Sequence, residues 1–261
     1  MNIRPPAVAG RFYPHSAVDL KQQVLECLAS DGTSPDDICA LIVPHAGYVF
    51  SGKVAGKAFQ QIKQQASRIK RVILVGPSHR VAIDGCAVPS HTHFATPLGN
   101  VEIDQQNIQT LLECSTTFVD DDAHKYEHSL EVQLPFLQVC LKDVKVTPIL
   151  TGRISSQSLA AMIKTIWSPN ETLLIISSDL SHFHSYQESI KLDEETCQEI
   201  EAYRPSLTPH QACGSTGINS LLIIAKQRGY QLHRLALINS GDTTAGDKQR
   251  VVGYVSYLFH E

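Results

Sequence analysis

Four short stretches of this sequence carry histidine, cysteine or aspartate at the margin of an apolar run, three just after one and the fourth just before one, where α/β proteins place reactive side chains. His45 follows Ala40 to Pro44 and opens the turn His45-Ala46-Gly47-Tyr48, and His79 ends the turn Gly76-Pro77-Ser78-His79 after Arg71 to Val75. Asp179 and His182 follow Leu173 to Ser177, and Cys213-Gly214 precedes an apolar helical stretch from Gly217. Either imidazole alone reads more simply as a hydrogen-bonding cap on its strand. Together with Cys213, His45 and His79 make a plausible set of metal ligands. A cysteine at a helix N-terminus faces the positive end of the macrodipole, which favours the thiolate that ligates metals or attacks carbonyls. Asp179 can orient an imidazole or act as a base beside a bound substrate, with helix capping as its plainer role.

A second pattern competes. His124-x-x-Glu127-His128 matches the H-x-x-E-H arrangement of inverted zinc proteases, and on a helix it would put both histidines on one face. Glu194, Glu195 or Glu199 could then supply a third ligand. Against it, the Asp120-Asp121-Asp122 run just before looks like a loop and helix entry, and short patterns recur by chance in a chain with 12 histidines. Gly52 to Ala58 has one residue too few between its glycines for a P-loop, and Ala58 stands where the magnesium-binding hydroxyl belongs, so it reads as the first turns of a helix. No G-x-G-x-x-G follows a strand and no G-x-S-x-G elbow occurs, which removes dinucleotide and serine hydrolase readings.

The elements that must position these residues alternate almost throughout. Strands are expected at 40–44, 71–75, 86–89, 146–150, 173–177, 235–239 and 251–258. Helices are expected at 18–29, 53–64, 105–113, 129–141, 157–167, 193–203 and 217–227. The stretch 84–103, with short strands broken by Pro, Gly and Asn, reads as a β excursion. The fold class is α/β, and no linker, repeat or charge run divides the chain, so residues 1–261 are expected to form one domain. With Lys+Arg 22 against Asp+Glu 26, the net charge of −4 and the lack of a basic cluster argue against nucleic acid or anionic lipid as partner. The N-terminus lacks the apolar segment of a signal peptide, and no apolar run approaches a membrane span. Seven scattered cysteines without a Cys-x-x-Cys pair do not resemble a disulfide framework. A cytoplasmic protein is expected.

Read in order, Pro6 to Pro14, Pro44-His45-Ala46-Gly47-Tyr48, Gly76-Pro77-Ser78-His79, Glu127-His128-Ser129-Leu130-Glu131, Ser177-Ser178-Asp179 with His182, Cys213-Gly214 and Gly253-Tyr254 resemble the Memo family. Its prokaryotic members are called AmmeMemoRadiSam system protein B. The resemblance implies a three-layer αβα sandwich around a central mixed sheet, like that of the class III extradiol dioxygenases. Those enzymes hold non-haem Fe(II) with two histidines and a glutamate. By motif, His45 and His79 match the histidine ligands, Cys213 takes the place of the carboxylate, and His182 matches the acid/base histidine. Fe(II) is the implied metal; a thiolate is softer than a carboxylate and admits Cu(I) or Zn²⁺ as well, so ring cleavage does not carry over with the fold. The family keeps Glu-His-Ser without requiring a histidine at position 124, which counts against the zinc protease reading. Three functions stay open: a metal-dependent redox or oxygenase-like enzyme, a module binding a peptide, a small molecule or a metal in the same pocket, and metal-free nucleophilic chemistry at Cys213. The prokaryotic name also implies association with an AMMECR-type protein and a radical S-adenosylmethionine enzyme.

Overall fold

The computed structural model describes residues 1–29 and 35–261. Its centre is built from three strands whose apolar runs leave no solvated face: β2 (Ile38–Val43), β3 (Arg71–Pro77) and β9 (Thr172–Ser177) are buried along almost their whole length. Such strands need cover on both sides, the condition of a parallel sheet between helix layers. β9 lies between β2 and β3 and runs parallel to both, and β8 (Lys145–Thr151) continues the parallel set beside β3.

The margins make the sheet mixed. On one flank β12 (Val251–His260) pairs antiparallel with β2, with β11 (Gln231–Asn239) and with the short β10 (His182–His184). On the other flank lies the expected β excursion. There β4 (Cys86–Val88) runs antiparallel to β8, β5 (His93–Thr96) and β6 (Gly99–Ile103) form a hairpin, and β7 (Thr117–Val119) and β1 (Ile3–Arg4) add parallel edges. The 12 strands thus take residues from both ends of the described chain into one sheet.

Helices α1 (Ala17–Leu28), α2 (Tyr48–Ile62) and α5 (Leu134–Cys140) contact one another. A second group is made by α3 (Gln105–Leu112), α6 (Ser156–Ile166) and α8 (Ser215–Arg228), and α7 (Tyr186–Glu201) packs on β10, β11 and β12. The short helix α4 (Asp121–Lys125) lies against β4. The central sheet between helix groups gives the expected α/β architecture. Among the described residues no helix is long and apolar enough to cross a membrane.

The helix expected at 53–64 starts five residues earlier, at Tyr48, and two others differ from expectation for local reasons. The stretch 129–141 is a 3-10 turn over Glu131–Gln133 followed by α5, because Pro135 sits in the first turn of a new helix and cannot donate a hydrogen bond to an older one. α7 begins seven residues earlier than position 193, at Tyr186, where Ser185 and Glu188 form a reciprocal capping box. The strands β1, β7 and β10, of two or three residues each, are too short to leave a periodic signal.

Two adjacent strands decide where a site can form. β2 is followed directly by α2 in one helix group, whereas the chain leaving β9 passes through β10 and α7 before it returns to the sheet in α8, in the other group. Connections that part in this way open a crevice at the carboxyl ends of the strands.

Candidate metal centre

His45, His79, Asp179 and Cys213 all reach that crevice. His45 lies two residues beyond β2, His79 two beyond β3, Asp179 two beyond β9, and Cys213 two before α8. Gly214 lets α8 approach so closely, since a Cβ there would stand 2.7 Å from the Ser177 carbonyl oxygen and 2.7 Å from the Ser178 Cβ. The Gly214 N–H instead donates to Ser178 Oγ at 2.9 Å.

The imidazole of His45 is buried, and its tautomer follows from its neighbours. Ser177 Oγ donates its one proton to the Ser129 carbonyl at 2.6 Å and accepts from Gln133 Nε2 at 3.0 Å. It can therefore only accept from His45 Nδ1, 3.0 Å away, so His45 carries its proton on Nδ1 and turns a lone pair outward on Nε2. Burial, together with the nearby His79 and His128, holds the His45 pKa well below the ordinary value, and the ring is neutral.

His79 is held in the same sense by a carboxylate. Its backbone N–H donates to Glu127 Oε2 at 2.6 Å and its Nδ1–H to Glu127 Oε1 at 2.9 Å. Glu127 Oε1 also accepts from the backbone N–H groups of His128 and Ser129 at 2.9 and 3.0 Å. Burial would raise the Glu127 pKa, but the contacts with His128, His79 and the Ser129 N–H outweigh it, and the carboxyl stays far below the usual carboxylate range. A histidine whose inner nitrogen is fixed by a carboxylate is oriented for ligation through the outer one.

The structure adds a residue that the sequence reading did not place among the ligands. His45, His79 and His128 each bring one ring nitrogen to within 4.8 Å of the others. His128 stacks on His79 with ring centroids 4.8 Å apart and meets His45 edge-on at 5.4 Å. Its Nδ1 is buried and lies 3.1 Å from Glu127 Oε1, so the same carboxylate that holds His79 also faces His128. The Glu-His-Ser motif was the available signal. It was read through the H-x-x-E-H spacing, which assumes one continuous helix; α4 ends at Lys125, so His124 and His128 share no helical face. His124 turns the other way, donating from Nε2 to the Ala87 carbonyl at 3.1 Å. Glu194, Glu199 and Glu195 pair instead with Arg234, Arg204 and Lys191. The inverted zinc protease arrangement is thereby corrected.

Cys213 Sγ lies 3.3 Å from His45 Nε2, beside the imidazole cluster. The expected dipole activation is reversed: burial first, and then the Asp179 charge, push the thiol up to about 12, although the residue keeps some exposed surface. A half-turn of dipole does not offset that loss of water around a thiolate. The S–H is therefore the donor toward His45 Nε2. Asp179 caps no helix. Its Oδ1 accepts the His45 backbone N–H at 2.7 Å while its carbonyl accepts the Cys213 N–H at 3.3 Å, so one residue spaces two of the ligand candidates. Burial raises its pKa above the usual value. His182 is half-buried in β10, three residues beyond Asp179.

The wall behind His128 is built by the N-terminal segment. Arg4 is buried, donating from Nη1 to Glu131 Oε2 at 2.6 Å, from Nε to the His124 carbonyl at 2.7 Å and from Nη2 to the Glu127 carbonyl at 2.8 Å. Glu131 also accepts from the Ala7 and Val8 N–H groups and from Tyr13 Oη. This lock seats Phe12 against His128 with ring centroids 4.7 Å apart.

A family model described as Memo-like protein matches residues 4–258. A MEMO1 family protein of Aquifex aeolicus is 33% identical over 277 aligned residues, covering 99% of this chain and 100% of the relative. One from Methanosarcina mazei is 31% identical with 99% of each covered, and one from Saccharolobus solfataricus is 33% identical with 98% of this chain and 99% of the relative covered. Among solved structures, an uncharacterized protein from Escherichia coli K12 superposes with a TM-score of 0.52 at 12% identity, over 85% of this chain and 99% of that one, a likeness of fold.

Proposed function

The chain belongs to the Memo family, and from that premise we propose that the cluster at the carboxyl edge of its sheet holds a transition-metal ion in a redox or oxygenase-like enzyme. Fe(II) is the first candidate, with Cu(I) or Zn²⁺ as alternatives. The observation that carries the reading is the convergence of three imidazole nitrogens within 4.8 Å, with a cysteine sulfur 3.3 Å from one of them. The donors suit such an ion: neutral imidazoles serve iron, copper and zinc, and a thiolate adds preference for the softer states.

In this reading His45, His79 and Cys213 are the ligands, and His128 is a fourth donor. When bound, the ion supplies Lewis acidity and, for iron or copper, a one-electron couple. The rest falls to the chain. Glu127 keeps the Nδ1 proton on His79, and Ser177 accepts the one on His45, so that both rings offer Nε2. Asp179 fixes the distance between His45 and Cys213. His182, half-buried three residues beyond Asp179, moves protons to and from a substrate. A cytoplasmic setting, where thiols stay reduced, suits a Cys213 ligand.

Anaerobic purification followed by metal analysis tests the proposal. The parent should carry close to one Fe(II) or Cu(I) per chain, and His79→Ala and Cys213→Ser should each lose it. Parent-like metal binding in both variants would sink the ligand assignment. The metal-free nucleophile reading loses its main support from a thiol held at about 12. A binding module would use the same residues without turnover, so a substrate screen on the metal-loaded protein separates it from the enzyme.

A further inference from the structure

At the other end of the sheet, two more histidines face each other across β11 and β12. The ring planes of His233 and His260 lie 6° from parallel with centroids 5.1 Å apart, and the rings meet head-on, their Nε2 atoms 3.0 Å apart. We propose that this pair is a second metal site, a surface chelate of two imidazoles for a divalent ion of square-planar or octahedral preference, such as Ni²⁺ or Cu²⁺.

The two Nε2 atoms already have the spacing of neighbouring positions on such an ion, since two metal–nitrogen bonds of about 2.1 Å meeting at a right angle put their nitrogens about 3.0 Å apart. Without the ion the rings point their Nε2 atoms at each other in a hydrogen bond, so binding requires each ring to swing by roughly 20° until both lone pairs meet at one point. The protons fit as well. His260 Nδ1 lies 2.8 Å from the Glu261 backbone oxygen, which can only accept, so His260 is protonated on Nδ1 and offers a lone pair at Nε2. That outer hydrogen bond to an oxygen is the usual support of a metal-binding histidine. The proton between the rings then belongs to His233 Nε2, and binding also asks that it move to His233 Nδ1.

The scaffold is rigid. The pair sits at the end of the long β11–β12 ladder, where Gln231 pairs with His260 and His233 with Leu258. Next to His233, Arg234 is fastened to Glu194 and Glu201 of α7. His233 is exposed and His260 partly so, leaving room for water in the remaining coordination positions. The site is separate from the buried centre: His260 pairs with Ile38 at the start of β2, whereas His45 lies beyond its end, roughly 20 Å away along the strand.

The test is a calorimetric titration of the full chain with Ni²⁺, in the parent and in His233→Ala, His260→Ala and His79→Ala. One Ni²⁺ equivalent of the parent should weaken at least about tenfold in either of the first two variants, because a chelate becomes a single ligand. That equivalent should persist in His79→Ala, so failure of the buried centre leaves it standing. In the parent, sub-stoichiometric Ni²⁺ should broaden the ring proton signals of His233 and His260 together, a readout that needs no variant to fold. Ni²⁺ binding that survives unchanged in both His233→Ala and His260→Ala, or ring signals left sharp, would overturn the proposal.

Discussion

Glu127 is the residue on which most of the candidate centre turns, because one buried carboxylate takes the His79 ring proton and three backbone N–H groups. Replacing it with glutamine keeps the volume but gives up the fixed negative charge. Loss of such an outer partner typically costs about 10- to 100-fold in metal affinity, so Glu127→Gln should load metal with an affinity reduced by that factor in competition with a chelator. His182 belongs to a different class, since His45, His79, Cys213 and His128 already supply donors. His182→Ala should retain the parent metal content, and with a substrate in hand its rate should fall ~10²- to 10⁴-fold. A His182→Ala protein as empty of metal as His79→Ala would instead make His182 a ligand.

Among the elements, the N-terminal segment contributes more to the site than its two-residue strand suggests. Arg4 and Glu131 form a buried ion pair at 2.6 Å whose other hydrogen bonds tie residues 7, 8, 13, 124 and 127 together. Removing one partner strands a charge in the interior. Arg4→Ala should therefore destabilise the protein by about 3–5 kcal/mol in urea unfolding, and replacing Arg4 and Glu131 together by apolar residues should cost less than the sum of the single changes. The approach of α8 to β9 is a second element-scale constraint. Gly214→Ala forces a methyl group against the Ser177 carbonyl and should cost about 1–3 kcal/mol, with Cys213 shifted away from His45 and metal affinity lowered in step.

For the whole molecule, the pH dependence of stability has a predictable sign. His124 is buried and neutral, its pKa lowered from 6.5 to about 4, chiefly by burial. Between those values the unfolded chain binds a proton that the folded chain refuses, so stability falls as pH drops from 6.5 toward 4, by about 3 kcal/mol for this group alone. Glu127 acts lower down. Its folded pKa lies below the ordinary 4.5, so its contribution is present above that value and lost as pH falls through it. Melting temperature measured from pH 7 to 4 should fall steadily in the parent. In His124→Gln the curve should be flatter between pH 6.5 and 4, and an unchanged slope would show that His124 is not held neutral.

The sequence by itself determined the parts of this protein that follow from local pattern. The buried runs of β2, β3, β8 and β9 have no polar face to misassign, and the turns after them fixed His45, His79 and Asp179 near strand ends. The ordered motifs carried the family. What spacing could not give is the company each residue keeps. His124 and His128 are four apart, yet one turns toward β4 and the other toward His45, because the intervening helix stops and Arg4 holds the backbone carbonyls of His124 and Glu127. Cys213 at a helix start promised a low pKa, and the tertiary structure reversed it by surrounding the sulfur and setting Asp179 beside it. Tautomers, thiol acidity and the pairing of His233 with His260 depend on groups distant in sequence, and only the packed sheet brings those groups within hydrogen-bond range.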